Sequence, residues 1–109
     1  MFSVRIRWYI RRLKSKDSDV RKAAAEALVK IEPPAIPYLI KALKDEKAFV
    51  REAAAKALGK IGSKEAIPHL REALKDKDRD VREAAAKALG EIGSKEAVPH
   101  LRKALKDKN

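Results

Sequence analysis

The strongest constraint on the fold of this chain is an internal repeat. Segment 50–75, VREAAAKALGKIGSKEAIPHLREALK, recurs at 81–106 as VREAAAKALGEIGSKEAVPHLRKALK, and the two copies differ at only three positions. A third copy, VRKAAAEALVKIEPPAIPYLIKALK, spans 20–44 and is one residue shorter in its middle. A period of about 30 residues is typical of repeat architectures, in which each unit packs against its neighbours.

Each copy predicts two helices joined by a short turn. In the last copy the apolar residues Val81, Ala85, Ala88, Leu89 and Ile92 recur at helical spacing and define a first helix, which we call the Val-Arg helix. Gly93 follows it as a left-handed stop. The second helix, which we call the Pro helix, begins around a proline, where the missing N–H costs no hydrogen bond.

A helix pair of this size cannot bury its own apolar face, so the units must stack side by side. The sequence therefore predicts an all-α fold: a short right-handed α-solenoid of about seven helices in one domain. The predicted segments of that domain are an N-terminal half-unit at 1–16 and three full units at 17–44, 45–75 and 76–109.

The opening segment FSVRIRWYIRRLK alternates apolar and polar residues like a strand, but the repeat offset identifies it as a lone Pro helix. Its apolar side chains share one face of a helical wheel about 100° wide, as expected for a core-facing stripe. They are Phe2, Ile6, Tyr9, Ile10 and Leu13. Val4 and Trp8 lie off this stripe. The segment is therefore expected to cap the stack, with arginines on its outer side.

The recurring residues V-R-x-x-A-A-x-A-L, followed by P-x-L-x-x-A-L-K, resemble the short HEAT-like repeats of the phycobilin-lyase type and the artificial consensus proteins built from them. In that family the Val-Arg helices line a concave surface whose exposed positions bind partners. The resemblance implies that the corresponding positions here form a partner-binding face. They are Asp19, Lys22, Glu26, Phe49, Glu52, Lys56, Asp80, Glu83 and Lys87.

Phe49 is the member of this set that the repeat does not explain, because the equivalent residues are Asp19 and Asp80. It either packs against a neighbouring helix or anchors a partner. The signature arginines Arg21, Arg51 and Arg82 recur once per unit, which favours a structural role. We expect each to pair with an aspartate in a turn between units.

Composition argues against most catalytic chemistry. The chain has no cysteine, and it contains no nucleophile triad, phosphate loop or H-E-x-x-H motif. Its acidic residues recur beside basic ones, as in the pairs Glu52–Lys56 and Glu83–Lys87, which is typical of a solvated helix face. We therefore expect no enzyme activity, metal or cofactor, and a bilin-lyase-like activity is a remote alternative. The equivalent histidines His69 and His100 lack a third ligand for a metal.

Charge leaves a second function open. The net charge is +11, and residues 1–16 contribute six cationic side chains and no acidic one. A basic helix with aromatic neighbours could bind nucleic acid or another polyanion non-specifically. The residues of this possible patch are Arg5, Arg7, Trp8, Arg11, Arg12 and Tyr38.

The preferred prediction is a non-catalytic scaffold that binds a protein partner. The abundance of Lys, Glu and Ala fits either a thermophile or a designed or consensus protein. No apolar run reaches the roughly 18 residues of a membrane span, and no targeting signal is recognisable, so a cytoplasmic location is expected. The final unit has the sequence of an interior unit, which predicts either self-association through its uncovered side around Leu101 and Leu105 or that the chain is a piece of a longer array.

Overall fold

The structure, a computed structural model, describes residues 2–93 and contains six α-helices in that range. Short 3-10 turns, Pro33–Ala35 and Lys64–Ala66, precede the third and fifth helices. The helices are α1 (Phe2–Arg12), α2 (Ser18–Ile31), α3 (Ile36–Ala42), α4 (Ala48–Ile61), α5 (Ile67–Ala73) and α6 (Arg79–Ile92).

The helices stack in two layers. The Val-Arg helices α2, α4 and α6 contact one another in sequence, and α1 and α3 contact each other on the opposite side. Between residues 2 and 93 there is no strand, and no helix there is long and apolar enough to cross a membrane. The prediction of an all-α repeat stack is confirmed. The predicted seventh helix, His100 and the self-association surface around Leu101 and Leu105 lie outside the described residues.

Equivalent residues of successive units form the core. Val50 and Val81 are fully buried, as are Leu28, Leu58 and Leu89 near the ends of the three Val-Arg helices. Burying one such aliphatic side chain contributes roughly 1.5–3 kcal/mol. Because the leucine is fully buried in all three units, the core is a continuous row running through the stack.

Segment 2–12 is helical as predicted, while its assignment as a half-unit of the repeat stays a prediction. Ile6 and Leu13 are fully buried, Tyr9 and Ile10 are half-buried, and α1 contacts both α2 and α3. The side chain of Phe2 lies outside the described part of the chain.

The two apolar residues that the helical wheel left off this stripe are on the surface. Val4 is 69% exposed and Trp8 is 52% exposed. The face that α1 turns away from the stack therefore carries an apolar pair of its own.

Helix ends follow the repeat with two exceptions in the first two units. The Asp17 and Asp78 side chains cap α2 and α6, whereas Lys47 holds the equivalent position before α4. Gly62 ends α4 in the left-handed conformation (φ 78°), where glycine carries no Cβ penalty. Glu32, which ends α2, also has a positive φ, of 61°, although it is not glycine. The turn of the first unit is therefore strained in a way that the second is not.

A single glycine sets the distance between α4 and α6. A Cβ atom built on Gly59 would lie only 2.6 Å from the Cα atom of Ala88 and 2.8 Å from its Cβ. The two helices therefore approach as closely as their backbones allow. At the equivalent position α2 carries Val29, and the backbones of α2 and α4 come close at far fewer places than those of α4 and α6. Val29 thus holds the first junction open.

We predict that Gly59→Ala destabilises the protein by about 1–2 kcal/mol, because the added methyl group must push backbone away. Urea denaturation measures this change. Gly90→Ala is the matched control, since Gly90 has the same repeat position and is exposed. There, alanine should raise the stability by up to about 1 kcal/mol through helix propensity alone. Equal stabilisation in both variants would contradict the close packing of α4 on α6.

Candidate functional site

The structure brings part of the predicted partner-binding set together. A groove between α2 and α4, of about 460 Å³, is lined by five of those residues. They are Lys22, Glu26, Phe49, Glu52 and Lys56. The other four members, Asp19, Asp80, Glu83 and Lys87, are exposed on α2 and α6 outside the groove.

Small apolar side chains form the floor of this groove. Ala25 and Val29 contribute from α2, and Ala53 and Ala57 contribute from α4. The predicted set missed Val29 and Lys60, which also line the groove. The signal that could have identified Val29 is its departure from the glycine of the other two units. Because Val29 keeps the helices apart, the same residue both opens and lines the groove.

Phe49 lies at one end of the groove and is half-buried. The guanidinium carbon of Arg21 is 4.6 Å from the centre of its ring, and the Lys47 amino group is 5.6 Å from it. A cation over an aromatic face is attracted by the ring quadrupole. Of the two interpretations left open by the sequence, packing against a neighbouring helix is confirmed through Arg21, while the role as a partner anchor is untested.

Arg51 joins the second unit to the turn that precedes the third. Its Nε and Nη2 atoms donate to the two carboxylate oxygens of Asp76 at 2.8 and 3.0 Å. Its Nη1 atom donates to the backbone carbonyls of Asp45 and Glu46 at 2.8 and 2.9 Å. The two side chains are only 10% and 13% exposed. The expected pairing of a signature arginine with a turn aspartate is confirmed here.

Burial raises the pKa of the Asp76 carboxyl, but hydrogen bonds from Arg51 and from the backbone N–H of Asp78 outweigh it, so the pKa lies below its ordinary value. The same hydrogen bond raises the pKa of Arg51. Both groups therefore stay charged at neutral pH, and the pair acts as a fixed link between units.

Arg21 makes the same backbone hydrogen bonds as Arg51 but does not pair with an aspartate. Its Nη1 atom donates to the carbonyls of Ser15 and Lys16 at 2.8 and 3.1 Å, as Arg51 does one unit later. The equivalent of Asp76 is Asp45, which pairs instead with Lys14 at 3.4 Å. The expected pairing with an aspartate is therefore wrong for Arg21, because its guanidinium lies over the Phe49 ring and Asp45 pairs with Lys14.

The third signature arginine is anchored to the same turn that Arg51 reaches. Arg82 donates from Nη1 to the backbone carbonyl of Asp76 at 2.8 Å. Its own turn aspartate, at the repeat offset, falls beyond the described residues. The arginine of each unit therefore binds the turn that precedes its helix.

Charged pairs on the Val-Arg helices agree with the sequence in one of two cases. Glu52 and Lys56 pair at 3.0 Å as predicted. The predicted pair Glu83–Lys87 is wrong, because Arg79 reaches Glu83 from the preceding turn at 3.1 Å. Exposed pairs of this kind contribute only a few tenths of a kcal/mol, on the order of 0.3–0.5.

The outer face of α1 carries the predicted basic patch. Its four arginines, Arg5, Arg7, Arg11 and Arg12, are all exposed. The Arg12 guanidinium lies 4.4 Å from the centre of the Trp8 ring, which also contacts Tyr9 edge-on at 5.1 Å. Tyr38 and His69 are half-buried on the later Pro helices. Among residues 2–93, no three His, Cys, Asp or Glu side chains are grouped closely enough to hold a metal ion.

Comparison with known proteins places the chain among helical repeats. The sequence model of the HEAT repeats matches residues 6–83 and 36–109. No curated protein matches the sequence. A similar solved structure is a chain in the complex of CpcE and CpcF of phycocyanin lyase from Nostoc sp. PCC7120, with 38% identity and a TM-score of 0.73. The match covers 94% of this chain but only 42% of that one.

Two engineered proteins have similar structures as well. One is 28% identical with a TM-score of 0.56, and the match covers 91% of this chain and 50% of that chain. The other is 31% identical with a TM-score of 0.51, covering 91% and 30% respectively. The chain thus spans half or less of each of these three structures.

We predict that Arg51→Ala destabilises the protein by about 2–4 kcal/mol, because it leaves the enclosed Asp76 carboxylate without its partner. The midpoint of thermal unfolding measures the loss. Arg79→Ala is the control, since that residue is exposed and pairs only on the surface with Glu83. Its effect should stay below about 0.5 kcal/mol. An unchanged melting temperature in Arg51→Ala would remove the proposed link between units.

A second prediction concerns the stability of the protein at low pH. A carboxyl whose folded pKa lies below its unfolded value of about 3.9 stabilises the protein above that pH, and this contribution is lost as the pH falls through the folded pKa. Asp76→Asn should therefore be less stable at neutral pH and lose less stability between about pH 5 and pH 2 than the unsubstituted protein. Melting temperatures across that range test it, with the exposed Glu72→Gln as control. An equal slope in Asp76→Asn would contradict the prediction.

Proposed function

Because the chain belongs to the HEAT-repeat family, we propose that it is a non-catalytic scaffold that binds a protein partner on the surface of its Val-Arg helices. The observation that carries the proposal is the groove between α2 and α4, where five of the residues expected to bind a partner line one concave site. A concave site with an apolar floor and a charged rim is a usual form of binding site.

The stacking of the units supports this role. A row of buried aliphatic side chains and the Arg51–Asp76 link hold α4, which forms one wall of the groove, at a fixed spacing from α6. A binding surface built on rigid helices loses little conformational entropy when a partner docks. The similar Nostoc structure was solved as a complex of two proteins, which is also consistent with partner binding. The chain spans only 42% of that lyase chain, and the proposed scaffold function includes no lyase activity.

The proposal includes a cytoplasmic location. It applies equally to a natural scaffold and to a designed or consensus repeat protein, and similarity to two engineered proteins is consistent with the second origin. The departures of Val29 and Phe49 from the repeat are the features that a partner-specific surface would need.

A second candidate function is the binding of a polyanion such as nucleic acid by α1. The observation that favours it is the exposure of all four arginines together with Trp8, which is 52% exposed beside Arg12. Arginines supply phosphate contacts, and an exposed aromatic ring can stack on a base. Such binding would weaken steeply as the salt concentration rises.

A pull-down with two surface variants separates these functions. We predict that a partner captured by the unsubstituted chain is lost with Glu52→Lys/Lys56→Glu, which reverses two charges that line the groove on α4 and keeps their i,i+4 pairing. It should be retained with Arg7→Glu/Arg11→Glu on α1. Quantitative immunoblotting of the captured partner measures both, and circular dichroism confirms that each variant is folded.

The reverse result would favour the second candidate. Capture lost only with the α1 variant, and abolished by nuclease or by high salt, would identify a nucleic acid as the bound species. Capture that survives both variants would contradict binding on either surface.

A further inference from the structure

The groove between α2 and α4 exists because the first junction of the stack departs from the second at two positions. Val29 replaces the glycine that brings α4 against α6, and Phe49 replaces the aspartate of the other units. Both residues line the groove. Reverting either position to its repeat equivalent should remove part of the groove while keeping the fold.

Arg21 at the end of this groove lacks the carboxylate that its counterpart binds. Arg51 uses Nη1 for two backbone carbonyls and Nε and Nη2 for the carboxylate of Asp76. Arg21 makes the same two carbonyl bonds, and among residues 2–93 no carboxylate lies within ion-pair distance of it. The Nε and Nη2 atoms of Arg21 make no hydrogen bond within residues 2–93, so they are the atoms that can donate to a carboxylate of another molecule, as the same atoms of Arg51 do to Asp76.

The charge of the groove favours an anionic occupant. Its cationic lining residues are Arg21, Lys22, Lys56 and Lys60, and its acidic ones are Glu26 and Glu52, which leaves a net charge of +2 (four minus two). Glu52 is already paired with Lys56. An acidic partner would therefore gain electrostatic attraction along the rim in addition to the contact with Arg21.

The backbone around the groove limits the shape of the occupant. Both walls are α-helices, whose N–H and C=O groups bond within each helix, so no strand edge is available to an extended peptide. An occupant must satisfy its own backbone hydrogen bonds, which a helix does. From Ser18 to Val29 the wall of α2 is about 16 Å long, the length of three helical turns.

We propose that the α2–α4 groove binds an acidic amphipathic helix of a partner protein. One carboxylate of that helix binds Nε and Nη2 of Arg21, and its aliphatic side chains pack on Phe49 and on the alanine floor beside Val29. The inference rests on the proposed scaffold function and adds the site and the chemistry of the partner. Docking an apolar helical stripe into such a groove is a common mode of peptide recognition.

The test uses three fluorescently labelled peptides of about 15 residues, long enough to fill the groove as a helix. The first has leucines at i, i+4 and i+7 and glutamates on its flanks. The second has lysines in place of the glutamates, and the third has serines in place of the leucines. Fluorescence polarisation should show saturable binding of the first peptide, and the other two should bind at least about tenfold more weakly.

Three variants locate the binding. Val29→Gly/Phe49→Asp restores the residues of the other units and should weaken the acidic peptide by at least about tenfold. Arg21→Lys keeps the positive charge but removes the bidentate fork, and it should weaken binding several-fold. Trp8→Ala, on the outer face of α1, should leave the affinity unchanged. Thermal melting checks that each variant is folded.

A chemical-shift titration of the unsubstituted chain tests the proposal even if the double variant fails to fold. Amide chemical shifts of Ala53 and Ala57 should move on titration with the acidic peptide, and those of Val4 and Trp8 should not. The proposal is overturned if the lysine peptide binds as well as the acidic one, if the acidic peptide does not saturate, or if a folded Val29→Gly/Phe49→Asp variant binds it unchanged. If a partner captured in the pull-down is lost with Glu52→Lys/Lys56→Glu but kept by Val29→Gly/Phe49→Asp, the scaffold function stands and this inference fails.

Discussion

Helix spacing in the Val-Arg layer is the constraint on which the rest of the structure depends. A two-helix unit has no interior of its own, so the stability of the stack is set by how closely neighbouring units approach. Where the contact residue is Gly59, the backbones of α4 and α6 meet. Where it is Val29, the helices part and a groove remains between them. One side chain at the same repeat position thus decides whether a junction is closed or leaves a groove.

The contacts of the signature arginines also differ between the closed α4–α6 junction and the open α2–α4 junction. At the closed junction Arg51 holds Asp76 in a nearly enclosed pair whose remaining hydrogen bonds are satisfied, the condition under which such a pair is net favourable. At the open junction Arg21 covers Phe49 instead, a contact worth about 0.5–1 kcal/mol at an exposed site. The first junction therefore has less internal stabilisation than the second, and local opening should occur there first.

The repeat made most of the fold predictable from sequence. Buried positions such as Val50 and Leu58 follow from periodicity, and the assignment of 2–12 as a helix follows from the offset despite its alternating pattern. The repeat also predicted the pairing of Arg51 with a turn aspartate. It could not predict the partner of Arg21, because Phe49 intercepts that side chain from a different helix and only three-dimensional proximity brings the two together.

The sequence predicted five of the residues that line the groove but did not predict the groove itself, for a physical reason. Alignment of the repeat copies predicts that positions such as Lys22 and Glu52 face outward. It does not predict the spacing of the helices, on which a cavity depends. A cavity needs a change in helix spacing, which comes from one inward-facing residue larger than its equivalents. In a stack of near-identical units, the substitutions that enlarge a glycine or remove an aspartate are therefore more informative about binding than the polar positions that vary on the outside. Val29 and Phe49 are such substitutions, and they lie on opposite walls of one groove.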